Sequence, residues 1–193
     1  MKYFFSLTFF VILFFSSDYL SAQIKRIDTT MLIGKSGYHI KCSNKDFERN
    51  ELDIKPVGFD NEAHEQGLYL KGAVTKSQID DLNNDGFPDL IVYTVSGPKG
   101  ELGNAYAFIS IENKKIIPVG LPDVQLDAKY RDGYRGHDEF SLMEGTLLRK
   151  FPLYKTDDKD NAATGGKRII QYQLTGSEDT GFKFTVQQSF DIK

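Results

Sequence analysis

Oxygen-bearing side chains recur at alternate positions in one short segment of the chain. Asp81, Asn83 and Asp85 are followed by Gly86 and then by Asp89. A loop that curls around a cation turns every second side chain inward, and a glycine supplies the positive φ that lets the backbone double back. Because Ca²⁺ binds oxygen ligands, Asp81, Asn83, Asp85 and Asp89 are candidate calcium ligands.

The residues after this segment exclude one class of calcium site. The twelfth loop position is Val92, where a helix–loop–helix site needs a bidentate Glu. Residues 90–95 are instead an apolar run typical of a strand. Segment 81–89 therefore resembles the Asp-rich calcium loops of integrin-type β-propeller repeats. The same Asn-Asp-Gly sequence is also typical of a hairpin turn, and a single copy lacks the repetition that propellers need.

Alternating apolar and polar residues predict an all-β fold. Only residues 122–130 could form a short helix, with Pro122 near its start. We predict an antiparallel sandwich or a strongly twisted double-layer sheet with little helix. The predicted strands, separated by Gly, Asn and Asp, are 38–42, 68–74, 90–95, 105–111, 146–154, 168–174 and 182–186.

The first 22 residues are typical of a secretory signal peptide. Lys2 precedes a dense apolar run, which ends in small residues before Gln23 and is too short for a comfortable membrane span. We therefore expect an exported chain, periplasmic or secreted, that is not held at a membrane after cleavage. Residues 23–193 are expected to form a single β-rich domain.

The net charge limits the classes of partner, and the cysteine content limits how the fold can be stabilised. The formal net charge is only −3, which argues against a nucleic acid or an anionic membrane as the main partner. Cys42 is the only cysteine, so no intramolecular disulfide can form. We expect a buried, unreactive thiol and a fold that is stabilised by its core.

The sequence contains no recognisable catalytic motif. His39, His64 and His137 lack a His or Cys partner at zinc-ligand spacing. The chain also has no Gly-x-Ser-x-Gly elbow, no phosphate-binding glycine loop and no dinucleotide fingerprint. These observations favour a binding protein over an enzyme, with no required cofactor and calcium as the one candidate ion.

Three connections between predicted strands are long and unusual in composition. Loops on a rigid scaffold commonly carry function. Loop 96–104 is the best binding candidate, because three glycines allow a narrow finger whose backbone can approach a partner closely. The alternative is a flexible hairpin tip with Tyr106 in the sheet. The other two connections are 130–140 and 155–167.

Loop 96–104 also carries side chains suited to a protein partner. Ser96 offers a hydroxyl and Lys99 a mobile cation, while Tyr106 lies just inside the next predicted strand. Tyrosine buries a large area and keeps one polar contact, which favours it at interface centres. The candidate residues are Ser96, Gly97, Lys99, Gly100 and Tyr106.

Several stretches together carry a family resemblance. They are 89–97, 134–140, 144–154 and 164–172, in that order along the chain. This arrangement resembles the periplasmic inhibitors of invertebrate-type lysozyme found in bacteria, and it extends over roughly residues 68–174. The resemblance implies an exported all-β protein that blocks a peptidoglycan-cleaving enzyme, most of all an invertebrate-type lysozyme.

The resemblance also implies where contact is made. In such inhibitors a Ser-Gly loop with a nearby tyrosine enters the lysozyme cleft and contacts the catalytic carboxylates. By position, Ser96 and Gly97 match the start of that loop. A standard-size interface needs more than this loop, so Tyr134 and Arg135 are further contact candidates, with a role in packing as the alternative.

The chain departs from the family pattern directly after Gly97. Pro98 and Lys99 stand where the family has its tyrosine, and no tyrosine follows before Tyr106. Lys99 is a candidate substitute, because a cation is attracted to a pair of carboxylates.

Two other classes of function stay open. One is a calcium-stabilised extracellular adhesion or glycan-binding β module, for which segment 81–89 is the discriminating feature. The other is an exported hydrolase, which would need two carboxylates that converge in a pocket.

Overall fold

The computed structural model describes residues 25–60 and 63–193, so the expected signal peptide at 1–22 lies outside the described residues. Strands dominate these residues, and the helical content is one 3₁₀ turn at Val124–Leu126. No helix in the described ranges is long and apolar enough to cross a membrane. The strands are β1 (Ile27–Ile33), β2 (Ser36–Cys42), β3 (Arg49–Val57), β4 (Gln66–Lys71), β5 (Ala73–Asp80), β6 (Asp89–Ser96), β7 (Leu102–Ile111), β8 (Lys115–Gly120), β9 (Glu139–Met143), β10 (Thr146–Pro152), β11 (Lys167–Thr175) and β12 (Lys183–Ile192).

The strands form three four-stranded antiparallel sheets, each a meander in chain order. The first sheet contains β1 to β4, the central sheet β5 to β8 and the third sheet β9 to β12. The all-β, antiparallel prediction is confirmed, with three sheets where the sequence indicated two layers. Strands β1, β3, β8 and β9 were not among the predicted elements. A four-stranded meander is also the form of a β-propeller blade.

The central sheet is covered on both faces. Leu90 and Val92 of β6 lie in a buried cluster with residues of the first sheet. Ile91 and Tyr93, which alternate with them, lie in a second cluster with residues of the third sheet. A strand buried on both faces needs a continuous apolar run, and 90–95 is such a run.

The neighbouring strand β7 divides its side chains in the same way. Ala105, Ala107 and Ile109 face the third sheet, while Phe108 and Tyr106 pack toward the first sheet. This is the two-faced alternation typical of a strand between two cores.

Two predicted elements differ from the structure. The predicted strand 68–74 is two strands, because Gly72 takes φ +97° between the first and central sheets. A Cβ on Gly72 would lie 2.5 Å from the Val95 carbonyl oxygen. The predicted helix 122–130 is the short 3₁₀ turn, where the Asp123 side chain accepts a hydrogen bond from Gln125 N.

The prediction of a buried Cys42 is confirmed. Its Sγ donates to Asn44 Oδ1 at 3.1 Å, and burial raises the pKa of the thiol. Asn44 also donates to the Val74 carbonyl at 2.7 Å and accepts from Val74 N at 2.8 Å. It therefore joins the end of β2 to the start of the central sheet.

Candidate partner-binding site

The three connections singled out in the sequence meet at one end of the molecule. The tip of the β6–β7 hairpin, the segment before β9 and the β10–β11 connection together enclose a hollow of about 340 Å³. We call this region the loop cluster. It is lined by Lys99, Gly100, Glu101, Arg135, His137, Asp160 and Asn161.

The hairpin tip is tighter than a long finger. Ser96 pairs with Leu102 across the two strands, so the tip consists of residues 97–101. Gly100 N donates to the Gly97 carbonyl at 3.1 Å, and these glycines take φ +70° and +90°. Such positive values are accessible mainly to glycine. The turn leaves the Lys99 side chain 79% exposed at its end.

The tip rests on the connection between β2 and β3. A Cβ on Gly100 would lie 2.7 Å from the ring of Phe47, so only glycine fits between the turn and this ring. Lys99 N donates to Glu101 Oε2 at 2.8 Å, which closes the turn from its other side. Both contacts reduce the conformational freedom of the tip.

Two predicted contact residues lie away from the tip surface. Ser96 is buried at the end of β6, and its hydroxyl donates to the Leu102 carbonyl at 3.3 Å. Tyr106 lies opposite Val92 inside the central sheet and packs against the core shared with the first sheet. Burial raises the pKa of Tyr106. Gly97, Lys99 and Gly100 are the predicted residues that form the tip itself.

Arg135 lies across the hollow from the tip. Its guanidinium donates to the Asp158 carbonyl at 2.8 Å and to the Lys155 carbonyl at 3.2 Å. It also lies over the Tyr154 ring, 5.0 Å from the centroid. These three contacts fix the cation beside the hollow although its side chain is 37% exposed.

Tyr134, the residue before it, points into the protein. Its hydroxyl donates to Asp138 Oδ2 at 2.6 Å and accepts from Arg149 Nη2 at 3.0 Å, and its ring packs edge-on against Phe151. Burial, and then the charge of Asp138, raise the pKa of Tyr134. Tyr134 thus supports the site from inside.

A buried ion pair anchors the loop cluster. Arg149 Nε donates to Asp138 Oδ1 at 2.7 Å, with the side chains 1% and 0% exposed. Burial acts to lower the pKa of Arg149, but the charge and hydrogen bond of Asp138, together with the neighbouring Tyr134 and Tyr172, outweigh burial and raise it. Both residues also bind the backbone of Gly103: Asp138 Oδ2 accepts from its N–H and Arg149 donates to its carbonyl, each at 2.8 Å.

The pair therefore fixes the first residues of β7 just behind the tip. His137 N donates to the Glu101 carbonyl at 2.6 Å, and His137 takes φ +62°, an uncommon value for a residue with a Cβ. A Cβ on Gly136 would lie 2.2 Å from the same carbonyl oxygen. The segment before β9 and the hairpin tip are thus in direct backbone contact.

Sequence reasoning missed Arg149, Asp138 and Asp160 as parts of the site. The signal for Arg149 is its position between Leu147 and Phe151, which are both buried and share its face of β10. A charged residue at an inward position of a strand needs a buried partner. No comparable local signal marks Asp160, which lies in a polar connection.

The candidate calcium ligands form a curled loop between β5 and β6. Asp85 N donates to Asp81 Oδ1 at 3.0 Å and to Asn83 Oδ1 at 3.2 Å, and Asn83 Nδ2 donates to Asp85 Oδ2 at 2.9 Å. Asn84 and Gly86 take φ +59° and +86°, which turns these three side chains toward one another.

Asp89, the fourth candidate ligand, lies behind the loop and is fully buried. Its carboxylate accepts from Ser110 N at 2.6 Å and Leu82 N at 2.8 Å. Burial raises the pKa of Asp89 to about 7, and the charges of Asp85 and Asp81 add to this increase. Across residues 25–60 and 63–193, no group of three or more His, Cys, Asp or Glu side chains is arranged to hold a metal ion.

A comparison of the chain with models of known protein families gives no match, and a comparison with curated proteins finds no relative.

Proposed function

We propose that this chain is an exported lysozyme inhibitor whose contact surface is the loop cluster. The observation that carries the proposal is the convergence of three connections around a hairpin tip, on which Lys99, 79% exposed, lies between two positive-φ glycines. The resemblance of residues 68–174 to the periplasmic lysozyme inhibitors indicates the class of partner, an invertebrate-type lysozyme. Residues 1–22 contain an apolar run that ends in small residues, which supports export to the periplasm or the medium.

The chemistry of the two surfaces supports this pairing. A lysozyme cleft is concave and carries carboxylates at its centre. The tip is slim because Gly97 and Gly100 have no side chains, and Lys99 adds a cation that carboxylates attract. Arg135 adds a second cation at the edge of the hollow.

The rigidity of the tip supports tight binding. Ordering a mobile loop on association lowers affinity, and a loop fixed in advance avoids that cost. Phe47 packs against Gly100, while Asp138 and Arg149 hold Gly103. A standard interface of about 1,600 Å² exceeds what the tip offers, so Arg135 and residues 155–166 would contribute the remaining contacts.

The test is a titration of invertebrate-type, chicken-type and goose-type lysozymes with the purified mature chain, read as lysis of bacterial cell walls. We expect stoichiometric loss of activity with the invertebrate-type enzyme. Lys99→Ala should relieve the inhibition while it leaves Gly103 and its contacts with Asp138 and Arg149 in place. Lys183→Ala, an exposed lysine on β12, is the matched control and should inhibit like the wild type. Full lytic activity of all three enzymes at micromolar inhibitor would refute the proposal.

A second candidate is a calcium-stabilised module that binds glycans. A hollow of about 640 Å³ lies on the outer face of the first sheet, with polar side chains that include Thr30, His39 and Asp53. Tyr69, 61% exposed on the same face with the Arg49 guanidinium 4.0 Å from its ring centroid, offers a surface for a sugar ring. Binding of soluble peptidoglycan fragments, lost in Tyr69→Ala, would favour this function.

Calcium binding is part of this second candidate function. Asp81, Asn83 and Asp85 would supply its oxygen ligands, with Asp89 behind them, in exchange for the hydrogen bond that now joins Asn83 to Asp85. Calorimetric titration with Ca²⁺ should then give a saturable signal that Asp81→Asn weakens. Equal heats for the wild type and this variant would rule the site out.

A further inference from the structure

Two cations from separate connections point at one carboxylate in the loop cluster. Lys99 Nζ lies 3.8 Å from Asp160 Oδ2, and Arg135 Nη1 lies 3.9 Å from Asp160 Oδ1. Asp160 is 83% exposed, and both distances exceed hydrogen-bond length. The carboxylate is therefore loosely held at the mouth of the hollow.

Two other acidic side chains, Glu101 in the lining of the hollow and Asp158 near it, accept hydrogen bonds from the backbone. Glu101 accepts from Lys99 N, and the Asp158 carboxylate accepts from Lys155 N and from both the N–H and hydroxyl of Thr164. These backbone hydrogen bonds lower the pKa of Asp158. Within the described residues, Asp160 is thus the acidic group placed against both Lys99 and Arg135.

The Arg135 guanidinium is better fixed than the carboxylate beside it, and the turn that carries Lys99 is held at its backbone. Arg135 is held by two backbone carbonyls and the Tyr154 ring, and Lys99 stands on a turn that packs against Phe47. Exposed ion pairs of this length contribute little stability, so breaking them is easy. An incoming carboxylate that meets both cations in a desolvated interface would interact more strongly.

We infer that the hollow is a carboxylate-recognition site and that Asp160 occupies the position of an acidic side chain of the protein partner. The partner's carboxylate displaces Asp160 and bridges Lys99 and Arg135. Asp160 therefore weakens binding and disfavours partners that lack a carboxylate at this point. This inference rests on the proposed function for the identity of the partner, and its chemistry can be tested without that partner.

The first arm of the test is direct binding of glutarate, with glutaramide as the uncharged control. Binding is monitored through the NMR chemical shifts of the Arg135 guanidinium and the Lys99 side chain. Glutarate should shift both signals and glutaramide should not. Asp160→Asn should tighten glutarate binding by about three- to tenfold, which corresponds to the loss of two exposed ion pairs. Equal shifts with the two compounds would overturn the inference.

The matched control is Asp157→Asn, which removes the same charge from an exposed position in the same connection. It should change glutarate affinity far less than Asp160→Asn. The gain from Asp160→Asn should also vanish in the Arg135→Ala and Lys99→Ala backgrounds. Equal effects of the two Asp→Asn changes would contradict the inference, since they would show a general charge effect.

The second arm measures inhibition of invertebrate-type lysozyme by the same variants. Stronger inhibition by Asp160→Asn, but not by Asp157→Asn, supports the inference on the natural partner. If the wild type inhibits and the two variants are indistinguishable, the inference fails and the function stands. If no variant inhibits but glutarate binds as described, the function fails and the carboxylate site stands.

Discussion

Arg149 and Asp138 form an ion pair inside the protein, 2.7 Å from Nε to Oδ1, although they belong to β10 and to the segment before β9. Both also bind the backbone of Gly103, the second residue of β7. The pair therefore connects the third sheet to the central sheet at the base of the proposed contact surface. Its removal would affect stability and the position of the tip together.

Replacing Arg149 by Met should destabilise the fold by about 3–5 kcal/mol, because it leaves the buried Asp138 carboxylate without its cation. The measurement is the free energy of unfolding from urea denaturation. Lys150→Met is the matched control, since Lys150 is the next residue of β10 and pairs with the exposed Glu139. That change should cost about 0–1 kcal/mol. A similar cost for both variants would show that the buried pair has no special role.

Tyr134→Phe should reduce the free energy of unfolding by about 1–3 kcal/mol. The hydroxyl that donates to Asp138 and accepts from Arg149 is lost, which leaves buried polar groups with one partner fewer. Tyr69→Phe removes the same atom from a side chain that is 61% exposed and should be neutral within error. The measurement is the free energy of unfolding of both variants by heat or urea, and equal losses would contradict the prediction.

Gly100→Ala should be more destabilising than Gly34→Ala, although both glycines have similar positive φ values of +70° and +62°. The Gly34 position has nothing within 4 Å of an added Cβ, so only the conformational cost of about 1–2 kcal/mol applies. At Gly100 the methyl group also meets the Phe47 ring at 2.7 Å, which adds about 1–3 kcal/mol.

Phe47→Leu should recover part of this additional loss in the Gly100→Ala background, because it shortens the side chain below the turn. The four unfolding free energies form a double-mutant cycle. A strictly additive cycle would argue against the packing of the tip on Phe47.

Stability should fall as pH rises from about 4 to about 7 through the contribution of Asp89. Burial, supported by the charges of Asp85 and Asp81, raises the pKa of Asp89 to about 7 in the native state. In the unfolded chain the same carboxyl loses its proton near pH 4. Between these values the native state binds more protons, so stability decreases with pH by at most about 1.4 kcal/mol per unit and levels off above about pH 7.

The measurement is urea denaturation of the wild type and Asp89→Asn across this pH range in the presence of a chelator. Asp89→Asn is uncharged throughout and should lack this part of the pH dependence. Asp191→Asn is the control, because the hydrogen bond from Arg168 lowers the pKa of Asp191 and moves its effect below pH 4. Parallel pH profiles for the wild type and Asp89→Asn would contradict the prediction.

Much of the fold was predictable from local pattern. Alternation along β7 places Ala105, Ala107 and Ile109 on one face and Tyr106 and Phe108 on the other, and the two buried clusters are divided in the same way. The run 90–95 predicted a strand, and the structure shows that burial on both faces is the reason for its continuous apolar sequence. Strand β1 escaped prediction because an edge strand alternates between half-buried and exposed positions, without a buried apolar series.

The candidate site was predictable only in part. Composition marked the three connections as long loops, and the glycines at 97, 100 and 103 predicted a narrow finger, where the structure has a tight turn. Their convergence depends on the packing of the third sheet on the central sheet. That packing connects residues far apart in the chain, such as Gly103 with Asp138 and Arg149.

By itself, the sequence determined the all-β class, the buried Cys42 and the glycine-rich composition of the β6–β7 connection, because each of these depends on neighbouring residues and backbone sterics. Tertiary structure alone decided that Ser96 is turned inward, that Tyr134 supports the core and that Lys99 and Arg135 face the same carboxylate. The physical reason is that the direction and charge environment of a side chain are fixed by the elements packed against it, and those elements are distant in sequence.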